Sequence, residues 1–137
     1  MSALFHLSFP VADLEATRHF YGELLGCAQG RTEAERIDFE FFGHHIVAQQ
    51  SHAEAAHVSV GVGPESYPLR HFGAIVPKET FERIAARLTA AGVKWIIPPE
   101  ARHVGTVREQ QTMMALDPSG NAVEFKSLVD PQKVFKA

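Results

Sequence analysis

Phe5-His6-Leu7-Ser8-Phe9-Pro10-Val11, running on to Asp13, and His71-Phe72-Gly73-Ala74-Ile75-Val76-Pro77, running on to Thr80, read as two copies of one opening. Each is a short, mostly apolar run with a histidine at or next to its head. Each leads to a residue whose side-chain oxygen caps a helix by accepting from an unpaired backbone N–H. His6 stands 20 residues before Gly26, and His71 stands 21 before Gly92. A glycine at such a place closes a helix, because it enters the left-handed region at no steric cost. The repeat predicts two strand–helix units of nearly equal length, and it constrains the fold more tightly than any single motif.

In the second helix Phe81, Ile84, Ala85, Leu88 and Ala91 fall on one face while Glu82, Arg83 and Arg87 point away, so the helix packs on a sheet. The first helix has a similar stripe in Leu14, Thr17, Tyr21, Leu24 and Leu25. Beyond each helix the apolar period drops to that of a strand. Ile37, Phe39 and Phe41 alternate with Asp38, Glu40 and Phe42 before Gly43 turns the chain into His44-His45-Ile46-Val47-Ala48-Gln49, which predicts a hairpin. In the second half residues 93–97 and 112–116 read as strands, the turn Asp117-Pro118-Ser119-Gly120-Asn121 reverses the chain, and residues 122–126 return. The expectation is an α+β fold of two paired βαβββ modules that form a concave mixed sheet with the helices outside. A single domain spans 1–137, with module 1 over about 1–52, a linker containing Gly61, Gly63, Pro64 and Pro68 over about 53–69, module 2 over about 70–128 and a tail over 129–137. Residues 98–111, from Pro98-Pro99 through Gly105, read as a long loop over one end of the sheet.

The composition of the 137 residues, 45% hydrophobic and 21% charged, is that of a globular chain and excludes a disordered or fibrous one. A net charge of −3 with no basic run argues against nucleic acid or an anionic membrane as partner and leaves a small molecule. No apolar run is long enough to span a bilayer, and Met1-Ser2-Ala3-Leu4-Phe5-His6 lacks the basic start of a signal peptide, so a soluble, cytoplasmic protein is expected. The single cysteine, Cys27, forms no internal disulfide and no cysteine-pair metal motif. Eight histidines are the one excess, and they direct attention to a site of nitrogen and oxygen ligands.

Alternate strand residues face opposite sides. With Phe5, Leu7 and Phe9 under a helix, His6 and Ser8 face the concavity. With Phe72, Ala74 and Val76 packed, His71, Gly73 and Ile75 face inward, and with Val123 and Phe125 packed, so do Ala122, Glu124 and Lys126. Two histidines and a glutamate from three strands therefore share one side, and the two histidines hold matching places in the repeat. His19 falls on the polar side of the first helix, and His52, His57 and His103 fall in loops, so these four read as surface residues.

At these residues the chain resembles the vicinal oxygen chelate superfamily, which includes glyoxalase I, the bleomycin-resistance proteins and the type I extradiol dioxygenases. The resemblance covers nearly the whole chain. It is carried by Phe5-His6-Leu7 with Asp13-Leu14-Glu15 and Phe20-Tyr21, by His71-Phe72-Gly73, and by Leu116-Asp117-Pro118-Ser119-Gly120-Asn121-Ala122-Val123-Glu124-Phe125-Lys126. Phe41-Phe42-Gly43-His44 and Glu124-Phe125-Lys126 are most similar to the small, single-domain predicted extradiol dioxygenases. The resemblance implies paired βαβββ modules, a homodimer, and His6, His71 and Glu124 as metal ligands. Where the superfamily has a fourth ligand this chain has Gln49, read as a long fourth ligand, a hydrogen-bonding group behind the ligands or a hydrogen-bond donor to substrate.

A face of two histidines and one carboxylate suits iron(II) and leaves positions for two catechol oxygens and O2. The expected activity is extradiol cleavage of a catechol-like ring, with His45, inward by alternation with Val47 and Gln49, as candidate base. Well-studied extradiol enzymes carry a tyrosine on the strand before the glutamate, where this chain has Met113 and Met114. Lys126, Arg108 or Arg102 would pair with an acidic substituent, and Thr112, Gln110 and Gln111 are polar contacts for a substrate. The alternatives are a glyoxalase-like or epimerase-like reaction on nickel, zinc or manganese, and a metal-free binding protein of the bleomycin-resistance type.

Overall fold

A computed structural model of the chain describes residues 3–57 and 67–136. Strand β1 (His6–Val11) leads into helix α1 (Leu14–Thr17), which continues as a π-helical stretch, Arg18–Leu24. Strands β2 (Ala28–Glu33), β3 (Arg36–Phe41) and β4 (His44–Gln50) complete the first module, and a short helix α2 (His52–Ala55) follows. The second module repeats the order with β5 (His71–Ile75), helix α3 (Lys78–Ala91), β6 (Lys94–Arg102), β7 (Gln110–Leu116) and β8 (Ala122–Leu128), before a 3-10 turn at Pro131–Phe135. The sheets run β1-β4-β3-β2 and β5-β8-β7-β6. In each, the first strand lies parallel to the last and the other pairings are antiparallel. The α+β expectation of two βαβββ units is what the chain forms. No helix of the described residues is long and apolar enough to cross a membrane.

Local chemistry sets most boundaries. Asp13 caps α1 by accepting from the Ala16 N–H at 2.8 Å. The Leu25 N–H donates to the Phe20 carbonyl, a wider turn than the α-helix makes, and so Phe20 is buried beside Tyr21 while Leu14 and Leu24 are only half-buried. Helix α3 begins at Lys78 behind Pro77, not at Thr80, because the proline ends β5's extension and its fixed φ of −59° suits the entry to a helix. Its inward face is Phe81, Ile84 and Leu88, and Gly92 closes it at φ 69°. The β3–β4 hairpin turns through Phe42 and Gly43, both at positive φ, and Phe42 holds that conformation with its ring against Phe41 and Phe125.

Two expectations need correction. Pro98 and Pro99 lie within β6, not in a loop; the strand is at the sheet edge and its register breaks between Ile97 and Glu100, where prolines need donate to no neighbour. His52 begins helix α2, capped by Ser51, rather than lying in a loop. The linker glycines Gly61 and Gly63, with Pro64, lie outside the described residues.

The modules join along β1 and β5. Phe9 and Phe41 meet Phe72 with ring centroids 5.1 and 5.7 Å apart, inside the common core. At one end of this seam the Asn121 side chain donates to the Pro10 carbonyl at 2.9 Å, and the Ala12 N–H donates to Ser119 Oγ at 2.8 Å. Buried Asp117 anchors that turn: its Oδ1 accepts from the Ser119 and Asn121 N–H groups, and its Oδ2 from the Asn121 amide and the Tyr21 hydroxyl. Burial raises the Asp117 carboxyl above the ordinary range although these bonds oppose it. At the other end a cavity brings Phe5 beside Ile75 and Lys126. The end of β1 thus lies at the start of β5, and the start of β1 at the end of β5.

Candidate metal centre

Strand pairing assigns the faces. In the first sheet Phe9, Val11, Ile37, Phe39, Phe41, Ile46 and Ala48 are buried in the core. The opposite face carries His6 and Ser8 from β1, His45 and Gln49 from β4, and Arg36 and Asp38 from β3. In the second sheet Gly73 pairs with Glu124, Ile75 and Thr112 pair with Lys126, and Met114 pairs with Glu124, which puts His71, Glu124, Lys126 and Thr112 on one face. The parity read from the sequence holds at each of these positions.

His71 and Glu124 come together. His71 Nδ1 lies 2.8 Å from the Pro68 carbonyl, which only accepts, so Nδ1 carries the hydrogen. In the neutral ring Nε2 then holds the lone pair, 3.7 Å from Glu124 Oε1. In that form two electron-pair donors face one another, with side chains 26% and 19% exposed, an arrangement that a cation between them satisfies. Lys126 Nζ stands 3.8 Å from the same Oε1, and the Thr112 hydroxyl donates to Oε2 at 3.4 Å. Gly73 allows this approach: a Cβ there would sit 1.5 Å from the Glu124 carbonyl oxygen.

His6 belongs to a separate cluster. Its Nδ1 is 2.8 Å from His45 Nδ1 with the rings stacked, and His45 Nε2 is 2.9 Å from Asp38 Oδ2. Arg36 donates to Asp38 Oδ1 at 2.8 Å. Burial works to raise the Asp38 carboxyl, but bonds from His45 and Arg36 outweigh it and hold the group below its usual range. Gln49 is occupied with the Ser8 hydroxyl at 2.5 Å. His6 and His71 head strands whose ends are opposed along the seam, so one chain does not bring them to one point. Among the described residues no three His, Cys, Asp or Glu side chains are grouped closely enough to hold a metal ion. The shared face was legible in the sequence; the separation along the seam depends on how the modules join.

The other named residues are dispersed. His45 faces His6 as its parity requires, with both ring nitrogens engaged. Arg108 and Lys126 line a small cavity with Gln110, Lys133 and Lys136, whereas Arg102 pairs with Glu100 at 2.9 Å. Gln111 is half-buried on β7. His19 is exposed and bonded to Glu23, and His57 and His103 are exposed. A cavity of about 570 Å³ at the seam is walled by Phe5, Phe41, Phe42 and Phe72 and reaches Glu124 and Lys126. His44 lines it too, and its Nδ1 accepts from the Phe5 N–H at 3.0 Å. Sequence reading missed Asp38, although its place on β3 opposite Val47 puts it on the face of His45.

A glyoxalase/bleomycin resistance protein/dioxygenase crystal structure from Alicyclobacillus acidocaldarius is 30% identical, with a TM-score of 0.78 and 98% of this chain and 97% of that chain covered. The fosfomycin resistance protein FosX from Listeria monocytogenes is 18% identical over 93% of each chain with a TM-score of 0.70, and FosX from Mesorhizobium loti is 16% identical over 97% and 98% with a TM-score of 0.67; both show likeness of fold. No curated protein matches the sequence. The model of the Glyoxalase/Bleomycin resistance protein/Dioxygenase superfamily matches residues 3–125, and with the paired modules and the 30% identical structure this places the chain in that superfamily.

Proposed function

We propose that this is a divalent-metal enzyme whose site is completed between two copies of the chain, with His6 from one and His71 and Glu124 from the other, and that it opens a catechol-like ring with O2. The observation that carries the reading is the His71 Nε2 lone pair facing the Glu124 carboxylate, while the Pro68 carbonyl occupies the other ring nitrogen. Members of the superfamily typically bind a divalent metal, and one FosX structure is complexed with Mn(II). Iron(II) held by two neutral histidines and one carboxylate supplies the exchange of electrons between a catecholate and O2.

The chain's own residues do the rest. The aromatic walls of the seam cavity accept a flat ring. Lys126, beside Glu124, pairs with a substrate oxygen or acidic substituent. Because His44 Nδ1 accepts from Phe5, its Nε2 carries the hydrogen and donates to an oxygen that gains charge as the ring opens. His45 has no free nitrogen in this arrangement, and so it acts behind His6 rather than as the base. A second reading, addition or isomerisation on a small anionic substrate without O2, draws on the basic lining of the cavity shared by Lys126, Arg108, Lys133 and Lys136.

The test is reconstitution with iron(II) under argon, then admission of O2 to a panel of substituted catechols. Oxygen uptake matched by the yellow absorbance of a ring-opened product, and loss of both in Glu124→Ala, is the expected result. Inert catechols together with turnover of a hemithioacetal by nickel- or zinc-loaded protein would establish the second reading in its place, and binding of ligand by metal-free protein alone would point to a sequestering role.

A further inference from the structure

We infer that Asp38 and His45 are positioning residues for His6: they fix which nitrogen of its ring carries hydrogen and so hold Nε2 ready as a metal ligand. The inference rests on the assignment of His6 as a ligand. Arg36, with its fixed charge, donates to Asp38 Oδ1 through Nη2 at 2.8 Å and Nε at 3.3 Å. That leaves Oδ2, which only accepts, against His45 Nε2 at 2.9 Å, so His45 Nε2 carries a hydrogen. In a neutral imidazole Nδ1 is then the acceptor. With both rings neutral, His6 Nδ1, 2.8 Å away, donates to it, and the lone pair of His6 is confined to Nε2. The rings lie 21° apart in plane with centroids 4.9 Å apart, a near-coplanar approach that suits an Nδ1–Nδ1 hydrogen bond.

The two modules thus solve one problem by different means. In the second, the backbone carbonyl of Pro68 takes the Nδ1 hydrogen of His71. In the first, a side-chain relay from β3 through β4 takes that of His6. The relay depends on residues that share a face only through pairing of β1, β4 and β3, and it accounts for a carboxylate and an arginine on a surface turned toward the metal ligand.

The experiment reads the hydrogen directly. Long-range 1H–15N correlation on metal-free 15N-labelled protein should show His6 protonated at Nδ1, and His45→Phe, which keeps an aromatic ring for stacking, should give a mixture of both tautomers. Mn(II) titration of the same samples should show a loss of affinity of about 10- to 100-fold in His45→Phe, in the range found when a partner behind a ligand is removed. His45→Gln, whose amide can donate to Asp38 and accept from His6, should stay within about threefold of the wild type. Asp38→Ala gives a second arm, with the same shift in His6 tautomer expected without change to either imidazole. A His6 ring protonated at Nε2 in the wild type, or equal Mn(II) affinity and unchanged tautomer in His45→Phe, would overturn the inference. Wild-type protein that binds no Mn(II) would instead overturn the ligand assignment, and the tautomer readout separates the two.

Discussion

Single atoms decide how closely β5 and β8, which carry the proposed ligands His71 and Glu124, approach one another. Gly73 has no side chain because β5 and β8 approach too closely for one, and a Cβ there would meet the Glu124 carbonyl oxygen at 1.5 Å. Gly73→Ala is expected to force β5 away from Glu124, lowering stability by about 3 kcal/mol or more in urea denaturation and abolishing stoichiometric metal binding. Cys27 makes a contrasting case. It is buried, and burial first, with the Glu40 charge behind it, pushes its thiol up to about 12. With so little thiolate near pH 8, alkylation by iodoacetamide should run at least about a hundredfold slower in folded protein than in urea, as read by mass spectrometry. Equal rates would show that the thiol is not enclosed.

Elements carry the next constraint. The βαβββ order was legible because strand and helix periods alternate at the same spacing in both halves, and the faces that carry His6, His71 and Glu124 were legible because parity along a strand is rigid. Pro98-Pro99 misled, since a proline pair reads as a loop unless the strand is known to be at an edge. The π-helical stretch misled in another way, because a 3.6-residue stripe selects Leu24 where the wider turn buries Phe20. What no local pattern contained is the junction of the modules, where Tyr21, from the first helix, donates to Asp117 on the far side of the repeat. Burial, then the Asp117 charge, raise the Tyr21 phenol well above its ordinary value, so it remains a donor at all working pH. Tyr21→Phe should cost about 1–3 kcal/mol in denaturant unfolding, since it leaves a buried carboxylate one partner short. A change below a few tenths of a kcal/mol would mean that the remaining three bonds suffice.

At the scale of the molecule, the repeat that made the fold readable also separates the proposed ligands. The modules meet with β1 and β5 opposed end to end, so each chain offers His6 on one sheet and the His71–Glu124 pair on the other. In the proposed isologous dimer the complementary surfaces would come together twice and form two equal sites. Mixing His6→Ala and His71→Ala chains tests this shared-site claim most directly. Each variant alone lacks one ligand at both sites, but a mixed dimer unites the intact His6 of one chain with the intact His71 and Glu124 of the other. After co-refolding, with random pairing, neither variant alone should bind Mn(II) tightly, and the mixture should restore about one site per four chains. No restored site in a mixture shown to contain mixed dimers, while the wild type binds about one ion per chain, would contradict it.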